Sequence, residues 1–174
     1  MFTKINKLKV LRLFLENQNS YFHLREIARL TYISPGGVFK ILKKLEDEKL
    51  VIREKTKVMD NFIANVENKE YIAIKKAFNI YSIMGSGLIE FLVEAYSPKA
   101  IVLFGSYAKG EDTEKSDIDI AIITNKEKRL DISKYEEVLK RRINPLEIDI
   151  KKIKKEMKNN LVNGIVLYGY LEMF

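Results

Sequence analysis

The run Leu103-Phe104-Gly105-Ser106-Tyr107-Ala108-Lys109-Gly110-Glu111-Asp112-Thr113-Glu114-Lys115-Ser116-Asp117-Ile118-Asp119-Ile120 concentrates the residues able to do chemistry. A hydrophobic stretch over residues 100–104 breaks at Gly105-Ser106, passes through charged residues, and returns as a second apolar stretch carrying two aspartates. Asp117 and Asp119 are two apart, so on a strand both carboxylates face one side, with Ile118, Ile120 and Ile122 on the other. Two carboxylates on a strand that faces a Gly-Ser turn suit a divalent ion and a phosphate chain. Gly105 has no Cβ to keep phosphate away from the backbone, and the turn amides with the Ser106 hydroxyl can donate to phosphate oxygens. Mg²⁺ takes oxygen ligands, commonly one or two carboxylates plus substrate phosphates. A second ion about 4 Å from the first would clamp the attacking and leaving oxygens of an in-line displacement.

Gly-Ser, ten residues, then Asp-X-Asp resembles the signature of the DNA polymerase beta-like nucleotidyltransferases. The short chain after it is similar to the minimal nucleotidyltransferases of archaea and bacteria. The resemblance implies an enzyme that uses Mg²⁺, with two ions, and a nucleoside triphosphate such as ATP. It would transfer a nucleoside monophosphate to an acceptor hydroxyl and release pyrophosphate. Gly105, Ser106 and Lys109 would hold the nucleotide, and Asp117 and Asp119 the metals. The family carries a third carboxylate on a later strand. In Leu146-Glu147-Ile148-Asp149-Ile150 the apolar residues alternate with Glu147 and Asp149. Asp149, before two lysines at a strand end, fits the third position better, with Glu147 as the alternative. In that role Asp149 would complete the second metal site and help deprotonate the acceptor. Lys109 stands where many relatives have Arg; it keeps the charge and loses the bidentate fork. Proteins of this kind often act as antitoxins by adenylylating a tyrosine of a HEPN-type toxin, which makes such a toxin the implied partner.

The chain has 174 residues, enough for one large domain or two small ones. It has no cysteine, which excludes disulfides and thiolate metal sites, and a single histidine, His23, which reads as a surface or helix-start residue. No apolar run is long enough to span a bilayer, and the N-terminus leads into a charged helix rather than a signal peptide. A cytoplasmic protein without membrane attachment is therefore expected. The formal net charge is +7. Residues 1–70 carry 14 Lys and Arg against 9 Asp and Glu, and residues 71–174 carry 17 against 15. The basic excess lies mainly ahead of the candidate catalytic half, consistent with a polyanionic partner.

That basic first part, residues 1–67, reads as a winged helix-turn-helix domain. Ile5, Leu8, Leu11, Phe14 and Leu15 have helical spacing. A second helix over 23–30 offers Leu24, Ile27, Ala28 and Leu30 to the core. Ser34-Pro35 opens a third, with Ser as N-cap and Pro at the first helical position. Val38, Ile41, Leu42 and Leu45 form its buried stripe, and Lys40, Lys43 and Lys44 point away. Gly36 and Gly37 at its start would let backbone approach a phosphate or base edge. Residues 51–57 and 62–66 flank a turn at Asp60-Asn61, a hairpin with Arg53, Lys55 and Lys57 on alternate positions. A charged hairpin after such a helix resembles the wing of transcription-factor domains, MarR-like ones among them. Ser34, Gly36, Gly37, the three helix lysines and the three hairpin cations are thus the expected contacts to double-stranded DNA. The plain alternative is a three-helix bundle whose lysines form a solvated face.

Residues 68–98 read as connecting helices. Tyr71, Ile72, Ile74, Ala77, Phe78, Tyr81 and Met84 form a broad apolar face, as intramolecular core or the seam of a homodimer. Gly85-Ser86-Gly87 interrupts it, and a second helix runs from Leu88 to Tyr96. Residues 99–174 form the nucleotidyltransferase-like part. Within it a helix over 132–143 turns Val138 and Leu139 inward and ends in Lys140-Arg141-Arg142, complementing the helix dipole. Pro145 stops that helix, and a final helix begins at the lysines after Asp149 and ends in the apolar stretch 165–168. The class is α+β: a mixed sheet with helices, preceded by the helical DNA-binding module. Three functions fit: a nucleotidyltransferase, a DNA-binding transcriptional regulator whose second half only binds nucleotide or partner, and an antitoxin that combines both.

Overall fold

Ser34 accepts a hydrogen bond from the Gly37 amide at 3.3 Å, and Pro35 follows as the first helical residue, so α3 (Pro35–Asp47) starts where its sequence signals a start. The computed structural model describes residues 2–56 and 60–172 and divides into two units, Met1–Ile74 and Lys75–Phe174. In the first unit α3 buries Val38, Ile41, Leu42 and Leu45 against α1 (Phe2–Glu16) and α2 (Leu24–Thr31). The α1 stripe is shorter than its periodicity suggests: Val10, Leu11, Phe14 and Leu15 are buried, whereas Ile5 and Leu8 are exposed. Leu30 of α2 is exposed too. Phe14 meets Phe22 edge-on at 5.4 Å between ring centroids, and the Tyr71 hydroxyl donates to the Phe14 carbonyl at 2.9 Å.

A hairpin of β2 (Val51–Lys55) and β3 (Asp60–Ala64) follows α3. Asp60 and Asn61, expected in the turn, lie in β3, paired with Lys55 and Glu54. A strand that the sequence pattern does not announce, β1 (Phe22–His23), pairs with β3 and completes a three-stranded sheet in the order β1-β3-β2. His23 therefore both ends a strand and caps α2, its backbone amide donating to Glu26 at 3.3 Å.

The second unit is a four-stranded sheet, β6-β5-β4-β7, with helices on both faces. Its strands are β4 (Ala100–Phe104), β5 (Ile118–Ile123), β6 (Ile143–Ile148) and β7 (Ile165–Gly169). β5 is antiparallel to β4 and parallel to β6, and β7 is antiparallel to β4. One face carries Ile101, Leu103, Ile118, Ile120 and Ile122, under Ile83, Leu88, Ile89, Leu92 and Tyr96. Those last residues come from α4 (Lys69–Ser86) and α5 (Leu88–Tyr96), so much of the stretch read as connector is core. The other face carries Ala100, Val102, Ala121 and Ile123 under Leu161 and Met157 of α8 (Lys155–Val162).

Five further expectations need correction. The helix continues through Gly85 and Ser86 and breaks at Gly87, whose φ of +79° only glycine adopts freely. The buried stripe of α4 is Tyr71, Lys75, Asn79 and Ile83, leaving Ala77, Tyr81 and Met84 outside it. α7 (Ser133–Leu139) ends at Lys140 and buries Tyr135, while Val138 is exposed; Pro145 lies inside edge strand β6, where its missing N–H costs no ladder bond. The apolar stretch at 165–168 is β7, not the end of a helix.

Candidate active site

β4 delivers the chain to Gly105, the first residue of the short helix α6 (Gly105–Lys109), anchored by buried Tyr107 and Ala108. Gly105 has φ +74°, and a Cβ there would stand 2.4 Å from Asp119 Oδ2. Asp119 sits across from Phe104 on β5, so its carboxylate lies directly over the Gly105 backbone. Asp117 comes one residue before β5 and is exposed; Asp119 is half-buried. Asp119 is on β5 and Asp117 in the loop that leads into it, with Ser106 at the start of α6 beside Gly105. Lys109 is exposed at the other end of α6.

The loop between α6 and β5 is held from beneath by a buried polar network. Lys75 Nζ lies 2.9 Å from Asp112 Oδ2, and both side chains are almost wholly buried. Asn79 donates to Asp112 Oδ1 at 2.6 Å and to the Tyr107 carbonyl at 2.9 Å. Thr113 and Ser116 close the turn above, the Thr113 amide donating to Ser116 Oγ at 3.0 Å. Burial draws the Lys75 ammonium below its ordinary pKa, and the Asp112 charge works against that shift. Sequence reasoning missed these residues; the signal available was a lysine and an asparagine at i, i+4 within an apolar helix. Lys75→Met leaves Asp112 buried without its cation and is expected to cost about 3–5 kcal/mol. Urea unfolding measures this, and Lys75→Met with Asp112→Leu should recover most of the loss.

The third carboxylate does not join the pair. In the parallel register of β5 and β6, Asp119 lies beside Asn144 and Ile123 beside Ile148. Asn144 donates from Nδ2 to Asp119 Oδ1 at 3.1 Å. Glu147 projects from the opposite face, where its Oε1 accepts from the Tyr96 hydroxyl at 2.5 Å. Burial and that carboxylate both push the Tyr96 phenol above its ordinary pKa. Asp149 follows the last residue of β6, five residues along from Asn144, and caps a turn. The Lys151 amide donates to its Oδ1 at 3.1 Å, which holds its pKa low together with Lys152. Among the described residues no three His, Cys, Asp or Glu side chains are grouped to hold a metal. Of the expected Asp117, Asp119 and Asp149, Asp119 thus has the Asn144 amide beside it, and Asp149 lies past the other end of β6. Asp117 and Asp119 fit one oxygen-liganded divalent ion.

Lys140, Arg141 and Arg142 do more than end α7. With Lys115, Glu114 and Glu136 they line a cleft of about 400 Å³ that includes Asp117. The Arg142 carbonyl accepts from the Ile118 amide at 2.8 Å, tying this cationic segment to the start of β5.

The family model described as a nucleotidyltransferase domain matches residues 86–169. The matched stretch lies wholly within the second unit. Three relatives from Methanocaldococcus jannaschii, each named only as a candidate protein adenylyltransferase, are similar to parts of the chain. One is 40% identical over 63 residues, covering 35% of this chain and 63% of the relative. The others are 58% identical over 33 residues and 61% identical over 31, covering 34% and 32% of their own lengths. The chain thus spans less than two thirds of each of these relatives. A solved structure, described as a toxin–antitoxin with AMP-PNP, overlaps at a TM-score of 0.37 and 26% identity, over 49% of this chain and 73% of that one. Gly105, Ser106, Asp117 and Asp119 all fall inside the stretch that this family model matches, as do Asn144 and the cationic segment after α7.

In the first unit Ser34, Gly36, Lys40, Lys43 and Lys44 are exposed and Gly37 half-buried; the three lysines share one side of α3. Lys55 is exposed, while Arg53 is ion-paired to Asp60, which raises its pKa. Lys57 lies outside the described residues. Among the described residues no helix is long and apolar enough to cross a membrane.

Proposed function

We propose that the chain transfers a nucleoside monophosphate, AMP from ATP, to an acceptor hydroxyl, and that residues 1–67 bind duplex DNA. The carrying observation is the Asp119 carboxylate packed over Gly105, two residues after Asp117, within the stretch that the nucleotidyltransferase family model matches. The acceptor oxygen forms a bond to the α-phosphorus, the bond from that phosphorus to the bridging oxygen breaks, and pyrophosphate leaves with the electron pair. The acceptor proton passes to water, which reaches the exposed Asp117 side. Asp117 and Asp119 would hold Mg²⁺, which supplies charge neutralisation on the phosphates. Gly105 and the Ser106 hydroxyl receive the distal phosphates, and Lys109 adds a cation at the end of α6. The contribution of these residues is positioning and electrostatic stabilisation.

With α-labelled ATP, Mg²⁺ and cell extract, label is expected on an acceptor, and γ-labelled ATP should leave that acceptor unlabelled. Label arriving from the γ position would mean a kinase and sink this reading. The motif resemblance implies a tyrosine of a HEPN-type toxin as acceptor, which makes such a protein the first partner to co-express.

Exposed lysines on α3 beside a strand hairpin support the DNA-binding part, in the manner of a winged helix-turn-helix. Replacing Lys40, Lys43 and Lys44 with Ala should abolish a gel shift and reduce the log–log salt dependence of binding by roughly 2–3, about one for each phosphate that is no longer neutralised. An unchanged shift would discard the α3 assignment. The second reading, a regulator that binds nucleotide without transfer, draws support from the neutral amide of Asn144, rather than a third carboxylate, beside Asp119. A homodimer through the Ala77, Tyr81 and Met84 side of α4 belongs to either reading.

A further inference from the structure

We propose that this site is built for a single divalent ion, and that Asn144 is the residue that sets the ion count. The inference rests on the reading of Asp117 and Asp119 as the metal-holding pair. Three observations carry it. The β5–β6 register gives Asp119 only one cross-strand neighbour on the β6 side, Asn144, whose amide nitrogen is turned onto Asp119 Oδ1. A second ion about 4 Å from the first needs further anionic oxygens, and an asparagine offers at most one neutral carbonyl oxygen. Glu147 is committed to Tyr96 on the opposite face and Asp149 to the turn at Lys151 and Lys152; of the two carboxylates lining the cleft with Asp117, Glu136 accepts from the Ile143 amide and Glu114 stands next to Lys115. Finally, the cleft at Asp117 is lined by four cations, Lys115, Lys140, Arg141 and Arg142, against the three carboxylates Glu114, Asp117 and Glu136. Cationic side chains outnumber carboxylates on that side, which opposes the entry of another dication.

Asn144 thereby gains a defined role. It orients Asp119 through a neutral hydrogen bond, and it withholds the charge that a second ion would require. Because Asn144 is exposed and Asp is nearly its isostere, Asn144→Asp can be made with little change in packing. That substitution places a third carboxylate at the level of Asp119 on the same face.

The test counts Mn²⁺ ions on the full chain by the loss of the free-ion electron paramagnetic resonance signal, with a non-hydrolysable ATP analogue and the chain in excess over nucleotide. One ion per nucleotide-bound chain is expected for the wild type and for Asn144→Ala, and two for Asn144→Asp. Two ions on the wild type would overturn the inference while leaving the carboxylate pair as the metal site. One ion on a folded Asn144→Asp, or on Asn144→Glu as the second variant, would overturn the role given to Asn144. If nucleotide and Mn²⁺ fail to bind together at all, the reading of the site itself falls, and this inference with it. The wild-type count stands by itself should both acidic variants fail to fold.

Discussion

Asp119→Ala is expected to lower transfer of label from α-labelled ATP by roughly 10³-fold or more, the scale on which a preorganised electrostatic group contributes to a transition state. The expectation follows from how many things Asp119 touches. Its Oδ2 lies over the Gly105 backbone, and its Oδ1 accepts from Asn144. Truncation removes half of the carboxylate pair and leaves the Asn144 amide pointing into the site without its acceptor. The fold itself should survive, because Asp119 is only half-buried and its strand neighbours Ile118 and Ile120 carry the packing. Thermal unfolding of the variant without nucleotide should match the wild type within a few degrees, while the rise in midpoint on adding Mg²⁺ and ATP disappears. A variant that keeps that rise would remove Asp119 from the metal site.

Gly105→Ala should be almost as damaging, for a different reason. A methyl group at residue 105 would sit 2.4 Å from Asp119 Oδ2, and φ +74° is strained for alanine. Either the carboxylate rotates away or the turn opens, and a displacement of about 1 Å at a reacting centre can cost about 10²-fold in rate. Strain adds roughly 1 kcal/mol or more of instability. Gly36→Ala is the control, since nothing lies within 4 Å of its added Cβ. Equal activity in the two variants would mean that close packing at Gly105 has no part in the reaction.

What could be read from the chain alone was whatever rests on local chemistry. Ser34-Pro35 fixes the start of α3, and four apolar residues at helical spacing fix its buried side. The break at Gly105-Ser106 between two apolar stretches fixes the strand–turn–strand that carries the aspartates. Non-local facts were hidden. Glu147 and Asp149 alternate as strand residues should, but only the register against β5 reveals that Asn144 is the one at the level of Asp119. Apolar pattern cannot reveal a stripe built on Lys75 and Asn79, because their burial depends on Asp112, more than thirty residues away. The stretch at 165–168 carries no alternation to distinguish strand from helix, and pairing with β4 decides it.

Pro145 also has a meaning for self-association. β6 and β7 are the two margins of the sheet. A proline in β6 removes one donor from the outward ladder, so an incoming strand finds a gap there. β7 has no proline, and Val166 and Tyr168 on it are exposed. One margin of the sheet is thus blunted against templated strand addition and the other is left receptive, giving any misassembly of this domain a preferred side.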